Sequence, residues 1–321
     1  MTAHANGRRR APTIHDVARE AGVSRGTVSR FLNGGHHVSP AAGRAVQAAI
    51  RRTGYVVNRH ARSLSTGRSD SVAFLLTEPQ EKLFEDPNFN VLLRGCTENL
   101  ARHDIPLLLM LAASDADRRR LTRYLTAGHV DGVLLVSSHS GDPVAAELRA
   151  AGMPLVACGK PMGLGARVSY VAADDRDGAR ELVRHLVDRG RRRIGMITGP
   201  LDLPGGTDRL AGYREVLTEA GLPYDTALVA EGDYGRASGE RAACRLLRRA
   251  PNLDAVFVAS DLMAQGVVNA LHQYGRSVPG DIAVGGFDDS PTATAASPSR
   301  ASAPRWSVCS SPRSPARTPR G

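Results

Sequence analysis

Cysteine is scarce and scattered: Cys96, Cys158, Cys244 and Cys309 form no C-x-x-C pair. That excludes a zinc ribbon or a disulfide framework and fits a reducing compartment. No run of about 18 apolar residues occurs, so no membrane span is predicted. No apolar stretch follows the basic start MTAHANGRRRAPT, so no secretory signal is expected and the predicted location is the bacterial cytoplasm, on the nucleoid. No G-x-x-x-x-G-K-[ST], no G-x-G-x-x-G opening a helix after a strand, no H-E-x-x-H and no G-x-S-x-G are present. With no nucleophile beside a base, the chain is read as a non-enzyme without catalytic residues, metal or cofactor. Lysine is nearly missing too. Of 42 basic residues only Lys82 and Lys160 are lysines, which reflects a GC-rich coding bias rather than chemistry.

What is present is 321 residues, 42% hydrophobic and 23% charged, enough for two or three soluble domains. The net charge of +10 is unevenly spread. Residues 1–68 hold twelve arginines against Asp16 and Glu20, a balance of +10, whereas residues 69–298 balance at −5. A small basic module therefore precedes a mildly acidic body, as expected for a nucleic-acid-binding head on a body with another task.

The head is predicted over 12–57 as an all-α helix-turn-helix. Thr13 and Asp16 have capping-box spacing, and Ile14, Val17, Ala18 and Ala21 fall on one helical face. Gly22 is suited to end that helix. After a short turn Ser24 caps a second helix, and Ser39-Pro40 starts a third that stops at Gly54. The side chains at 25, 26 and 30 project from the first turns of the second helix, the part that enters a major groove. Arg25 and Arg30 can each place a bidentate fork on a guanine edge. Ser24, Thr27, Ser29 and Asn33 suit phosphate oxygens, which set register; for the Ser and Thr residues helix capping is the alternative.

The run TIHDVAREAGVSRGTVSRFLNG and the later GYVVNRHARSLSTG closely resemble the DNA-binding head of the lactose-repressor/galactose-repressor (LacI/GalR) family. Against that pattern Gly26 lacks the side chain that usually reads a base. The resemblance implies that 58–68 is a hinge helix that pairs with a second copy in the DNA minor groove. There Leu64 would wedge into the central base step, Ala61 would let the paired helices approach, and Asn58, Arg59 and Arg62 would lie along the groove and its phosphates. Without the resemblance this segment reads as a Ser/Gly/Arg linker with an incidental leucine.

From Ser71 short apolar runs alternate with amphipathic segments. Strands are predicted at 71–77, 106–111, 132–137, 154–158, 193–198, 255–259 and 282–286. Helices are predicted near 89–103, 116–127, 143–151, 175–189, 208–220, 237–249 and 261–274. This alternation implies parallel sheets covered on both faces, with ligands beyond the carboxyl ends of the strands. Stretches such as VDGVLLVSS (130–138) and DRLAGYREVLTEAGLP (208–223) also resemble the family's body. They imply an α/β, two-lobed, periplasmic-binding-protein-like (type I) effector and dimerisation domain over 69–298.

Carried across position by position, the resemblance implies cleft residues Asn88, Phe89, Lys160, Asp174, Arg209, Ser260, Asp261 and Asp288. Arg209 offers a planar donor fork, Asp174 and Asp288 accept from hydroxyl pairs, and Phe89 offers a face for a sugar ring. Asp174 and Asp261 equally stand where helix caps fall. The helix from Asn90 to Arg102, with Val91, Leu92 and Leu100, is the candidate dimer surface, with core packing as its alternative.

After Ala296 the resemblance stops, and SPSRASAPRWSVCSSPRSPARTPRG is expected to be disordered over 299–321. A frameshifted or truncated gene product would give such a tail and leave a sheet edge bare; a basic tail adding nonspecific DNA affinity is the other reading. The resemblance as a whole implies a homodimeric repressor of a pseudo-palindromic operator in double-stranded DNA, controlled by a small molecule such as a sugar. The rival is a soluble sugar-binding protein with a non-functional head.

Overall fold

The computed structural model describes residues 10–32, 38–56, 67–163 and 168–290, together with the backbone of 306–309. The chain divides into two compact units, the first ending at Ser69 and the second beginning at Asp70.

The first unit contains α1 (Ile14–Ala21), α2 (Arg25–Leu32) and α3 (Pro40–Thr53). The Asp16 carboxylate accepts from the Thr13 hydroxyl at 2.7 Å and from its backbone N–H at 2.9 Å, closing the first turn of α1. Gly22 and Gly54 end α1 and α3 at φ of 65° and 66°, where a side chain would be strained. Ser39 caps α3 by accepting from Ala42 N–H at 3.3 Å, with Pro40 in the first turn, where its missing donor costs nothing. Val17, Val28, Val46 and Ala49 are fully buried and join the three helices in one small core.

The second unit has two sheets. The larger has the order β10-β5-β4-β3-β1-β2, from β1 (Val72–Leu76), β2 (Leu107–Leu111), β3 (Gly132–Val136), β4 (Leu155–Cys158), β5 (Ser169–Ala173) and β10 (Trp306–Cys309). The smaller is β7-β6-β8-β9, from β6 (Ile194–Thr198), β7 (Val229–Glu231), β8 (Ala255–Val258) and β9 (Ala283–Gly285). Every pairing is parallel except β10 on β5. Strands β6 and β8 are buried at every position, which is why they read as continuous apolar runs rather than alternations.

The first lobe carries α4 (Gln80–Glu85), α5 (Pro87–Ala101), α6 (Asp115–Tyr124) and α7 (Val144–Ala150). The second carries α8 (Asp175–Asp188), α9 (Pro204–Glu219), α10 (Arg236–Arg249) and α11 (Asp261–Gln273). Helices α10 and α11 approach so closely that a Cβ on Gly266 would collide with the Arg236 carbonyl, so that position must be glycine.

All seven expected strands form, and three more, β5, β7 and β10, were not foreseen. The tail expectation is corrected over four residues: Trp306–Cys309 pairs antiparallel with β5, from Trp306 opposite Ala173 to Cys309 opposite Tyr170. The β5 edge is therefore covered rather than bare. Strand addition is satisfied by backbone groups, so composition averaged over a Ser/Pro/Arg-rich tail does not reveal it. The rest of 299–321 lies outside the described residues, as do Asn33, Asn58, Arg59, Ala61, Arg62 and Leu64.

Candidate functional site

In the head, Val28 of α2 is buried, while Ser24, Arg25, Gly26 and Arg30 are exposed and Thr27 and Ser29 half-buried. Ser24 Oγ accepts from Thr27 N–H at 3.1 Å and lies 3.0 Å from the Thr27 hydroxyl, so both of these residues serve the helix start. Arg30 Nε donates to the Gly26 carbonyl at 3.2 Å, one turn back. Arg19 and Arg52 are paired with Asp16 and Glu20 at 3.6 and 2.7 Å. No ion pair with a carboxylate engages Arg25 or Arg30 among the described residues. Helix α2 thus presents two exposed guanidinium groups free of carboxylate partners among the described residues, beside a bare glycine, as groove reading requires.

In the body, the strand order reverses about β6 in the small sheet and about β1 in the large one. Such switch points open crevices at the carboxyl ends of strands. Arg209, on α9, occupies the crevice of the second lobe with 12% of its side chain exposed. Its Nε donates to Asp175 Oδ1 at 2.8 Å and its Nη2 lies 2.7 Å from the same oxygen. Nη1 donates to the Ala259 carbonyl at the end of β8 and lies 3.7 Å from Asp288 Oδ1. The guanidinium carbon lies 3.9 Å from the Phe287 ring centre and 5.6 Å from that of Tyr234.

Across from it, in the first lobe, stands Asn88, whose side chain favours the charged form of the Asp288 carboxyl against the effect of burial. Asp86, which caps α5 by accepting from Asn88 N–H at 2.9 Å, is close enough for its charge to act on Asp288. Burial pushes the Asp86 and Asp261 carboxyls above their usual range and lifts Asp288 to about 7, although Arg209 opposes each shift. Arg209 therefore acts on all three carboxyls, with Lys82 as a second cation at Asp86. Tyr234 and Asp288 hold left-handed φ of 68° and 107°, backbone strain of the kind that gathers at binding sites. A cavity of about 680 Å³ opens beside Tyr234, between Lys82, Glu85 and Asp86 on one lobe and Asp233 and Arg236 on the other.

The implied cleft residues separate into two groups. Asn88, Arg209 and Asp288 come together. Asp174 does not join them: it is exposed and caps α8 by accepting from Asp177 N–H at 3.0 Å, while its neighbour Asp175 holds the guanidinium. Phe89 packs with Phe74, Leu76 and Leu83 in the first lobe's core, and the aromatic faces at Arg209 are Phe287 and Tyr234 instead. Lys160 is exposed in the loop after β4, where its charge is felt by Asp208.

Ser260 caps α11 by accepting from Met263 N–H at 3.2 Å and donates to the Tyr234 carbonyl at 3.3 Å. Asp261 accepts from Ser290 N–H at 2.8 Å and so fixes the loop that carries Asp288. These two residues position the site from behind. Phe287 was within reach of sequence reading, being adjacent to Asp288. Tyr234 follows the unforeseen β7 and gave no signal.

Asp288 makes stability depend on pH. Its folded pKa of about 7 lies above the ordinary 3.8, so between those values the folded state holds more protons than the unfolded one. Stability therefore falls as pH rises through this window and levels off above it. The difference in melting temperature between pH 5 and pH 7.5 should shrink in Asp288→Asn relative to the unchanged chain. An equal pH slope in both would place the proton elsewhere.

Two family profiles match the chain: bacterial regulatory proteins of the lacI family over residues 13–58, and a periplasmic binding protein-like domain over 183–306. The second match runs past Ala296, so the resemblance extends further than the tail composition suggested. The HTH-type transcriptional regulator CelR of Thermobifida fusca is 46% identical over 292 residues, covering 91% of this chain and 86% of that protein. Catabolite control protein A of Priestia megaterium is 30% identical over 288 residues, covering 89% and 85%.

Among solved structures, a CelR–cellobiose complex superposes with a TM-score of 0.70 at 44% identity, and a lac repressor dimer bound to operator and the anti-inducer ONPF with 0.75 at 25%. Each covers 89% of this chain and 85% of the other. With a reading head, a two-lobed cleft and near-half identity to a transcriptional regulator along nine-tenths of its length, the chain belongs to the lacI family of bacterial DNA-binding transcription regulators and is not an enzyme.

Proposed function

We propose that the chain is a repressor working on the bacterial nucleoid as a homodimer, released from or held on its operator by an uncharged oligosaccharide of the cellobiose type. The observation that carries the sugar reading is the charge of the cleft. Arg209 is already engaged by Asp175, with Asp288 beside it, and Asp86 and Asp261 add further carboxylates. That surplus of acceptors, with aromatic faces from Tyr234 and Phe287, suits a ligand rich in hydroxyls and repels an anion. The adjoining cavity lies in the size range of small-molecule sites. CelR, the relative solved with cellobiose, supports the same class. Lys160, Phe89 and Asp174 are left out of the ligand contacts proposed here.

For the dimer, Val91 on α5 and Leu109 on β2 are exposed by 54% and 44%, and β2 ends the larger sheet. Leu92 packs into the lobe's own core, so the outward face of α5 with the β2 edge is the proposed contact. On DNA, Arg25 and Arg30 read bases, the short polar residues Ser24, Thr27, Ser29 and Asn33 meet phosphates, and the hinge from Asn58 to Leu64 enters the minor groove.

The test is a gel shift on an operator selected from random duplexes, titrated with cellobiose and, separately, glucose 6-phosphate. Cellobiose should change operator affinity at least tenfold while the phosphate leaves it unchanged; a response to the phosphate alone refutes the neutral-ligand reading. Leu64→Ala should lower operator affinity and bending, with little change on random duplex. Equal loss on both kinds of DNA would remove the wedge.

A further inference from the structure

The two lobes are also joined away from Arg209, at a place the sequence reading did not touch. Glu78 follows β1 and is only 5% exposed. Ser137, just past the end of β3, holds a left-handed φ of 63° and donates its hydroxyl to Glu78 Oε1. His139, two residues on, places Nε2 at 3.0 Å from the same oxygen. Its other nitrogen, Nδ1, lies 2.8 Å from Asp202 Oδ2, on the loop between β6 and α9 of the second lobe. Ser140 N–H donates to the Asp202 carbonyl at 2.7 Å and reinforces the crossing.

Both ring nitrogens face carboxylates, so both must donate, and only the imidazolium can do that. The two acceptors hold that proton, with the imidazole pushed up to about 9 and Glu78 kept below its usual range. The bridge is therefore a fixed cation between one buried carboxylate and one on the opposite lobe. It stands at the switch point of the larger sheet, and its far anchor hangs from the switch-point strand of the smaller one.

We propose that Glu78, His139 and Asp202 form an ionic latch that holds the two lobes together over the effector cleft and thereby sets effector affinity. The proposal rests on reading the cleft as the effector site. A ligand that needs the closed arrangement binds with its intrinsic affinity reduced by the fraction of molecules that are open. The latch lowers that fraction before any ligand arrives. The Lys82 ammonium donates to the Asp233 carbonyl, a separate crossing on a backbone acceptor that changes at His139 or Asp202 leave in place.

A double-mutant cycle on the full chain decides the matter, with His139→Gln, Asp202→Asn and their combination. One readout is the dissociation constant for cellobiose. The other is the distance between nitroxides at Arg149→Cys and Arg248→Cys, exposed positions on the first and second lobes, measured without ligand. Each single variant should weaken cellobiose binding about five- to tenfold and shift the ligand-free distances to longer values. The double variant should be no worse than His139→Gln alone, because either change already opens the bridge.

Unchanged distances in both single variants, or effects that simply multiply in the double, would overturn the latch. Should the unmodified chain not bind cellobiose at all, the effector reading fails, and the ligand-free distances still decide between latch and no latch.

Discussion

Replacing Arg209 by lysine should abolish the response to sugar while leaving the head able to bind DNA. The guanidinium meets Asp175 and Asp288 as a fork, and its charge also acts on Asp86 and Asp261. Asp175 Oδ1 and the Ala259 carbonyl do not exhaust its five N–H donors, so donors remain for neighbouring hydroxyls of a ligand. A lysine keeps the charge and loses both the fork and the flat face that lies against Phe287.

Cellobiose affinity is expected to fall by about two orders of magnitude, since a site built to hydrogen-bond its ligand then leaves buried groups unmatched. Arg209→Met is the harsher change. It strands buried carboxylates without a counter-charge, which costs about 3–5 kcal/mol when one partner of a buried pair is removed. Circular dichroism melts should show this loss, with the lysine variant melting close to the unchanged chain. Cellobiose binding within twofold of normal in Arg209→Lys would mean that the guanidinium does not hold the ligand.

The second large effect is expected from Arg25→Ala. Its side chain is exposed at the start of α2 and makes no ion pair among the described residues, so its removal disturbs no packing in the free head. A good bidentate contact to a base contributes about 1–3 kcal/mol of discrimination. A twofold dimer on a twofold operator makes that contact twice, for a combined loss of roughly 2–6 kcal/mol. Operator affinity should then drop by at least about thirtyfold, while affinity for random duplex changes only by what one phosphate-range charge contributes. Fluorescence anisotropy on both duplexes at one fixed salt concentration reads the difference. Equal losses on the two would reduce Arg25 to a phosphate contact and pass the base reading to Arg30.

The same contrast between local and distant information runs through the whole molecule. The head was legible almost residue by residue because its signals are local. Thr13 with Asp16, Gly22, Ser39-Pro40 and Gly54 each act within one turn of the chain, and the helices begin and end where those residues require. In the body, β6 and β8 announced themselves by unbroken burial. The short β7 and the half-buried β5 did not, and β10 became a strand only because β5 offered an open edge.

The cleft was legible in part. Asn88, Arg209 and Asp288 lie together in the fold, but Asp174 and Asp175 are adjacent on the chain, and only the turn of α8 decides which of them faces Arg209. One residue along a helix is a rotation of about 100°, enough to exchange a cap for a carboxylate that holds Arg209. Glu78, His139 and Asp202 had no local signature, because their partners lie 59–63 residues away.

The amino-acid order alone thus determined the three-helix reader and the alternation of strand and helix, since caps, periodicity and motif chemistry act over a few residues. Tertiary structure decided which carboxylate meets Arg209, which aromatic rings wall the cleft, and how one lobe grips the other. Those outcomes depend on side-chain direction and on charges brought together across the fold, and their energies exist only once burial has removed the water between them.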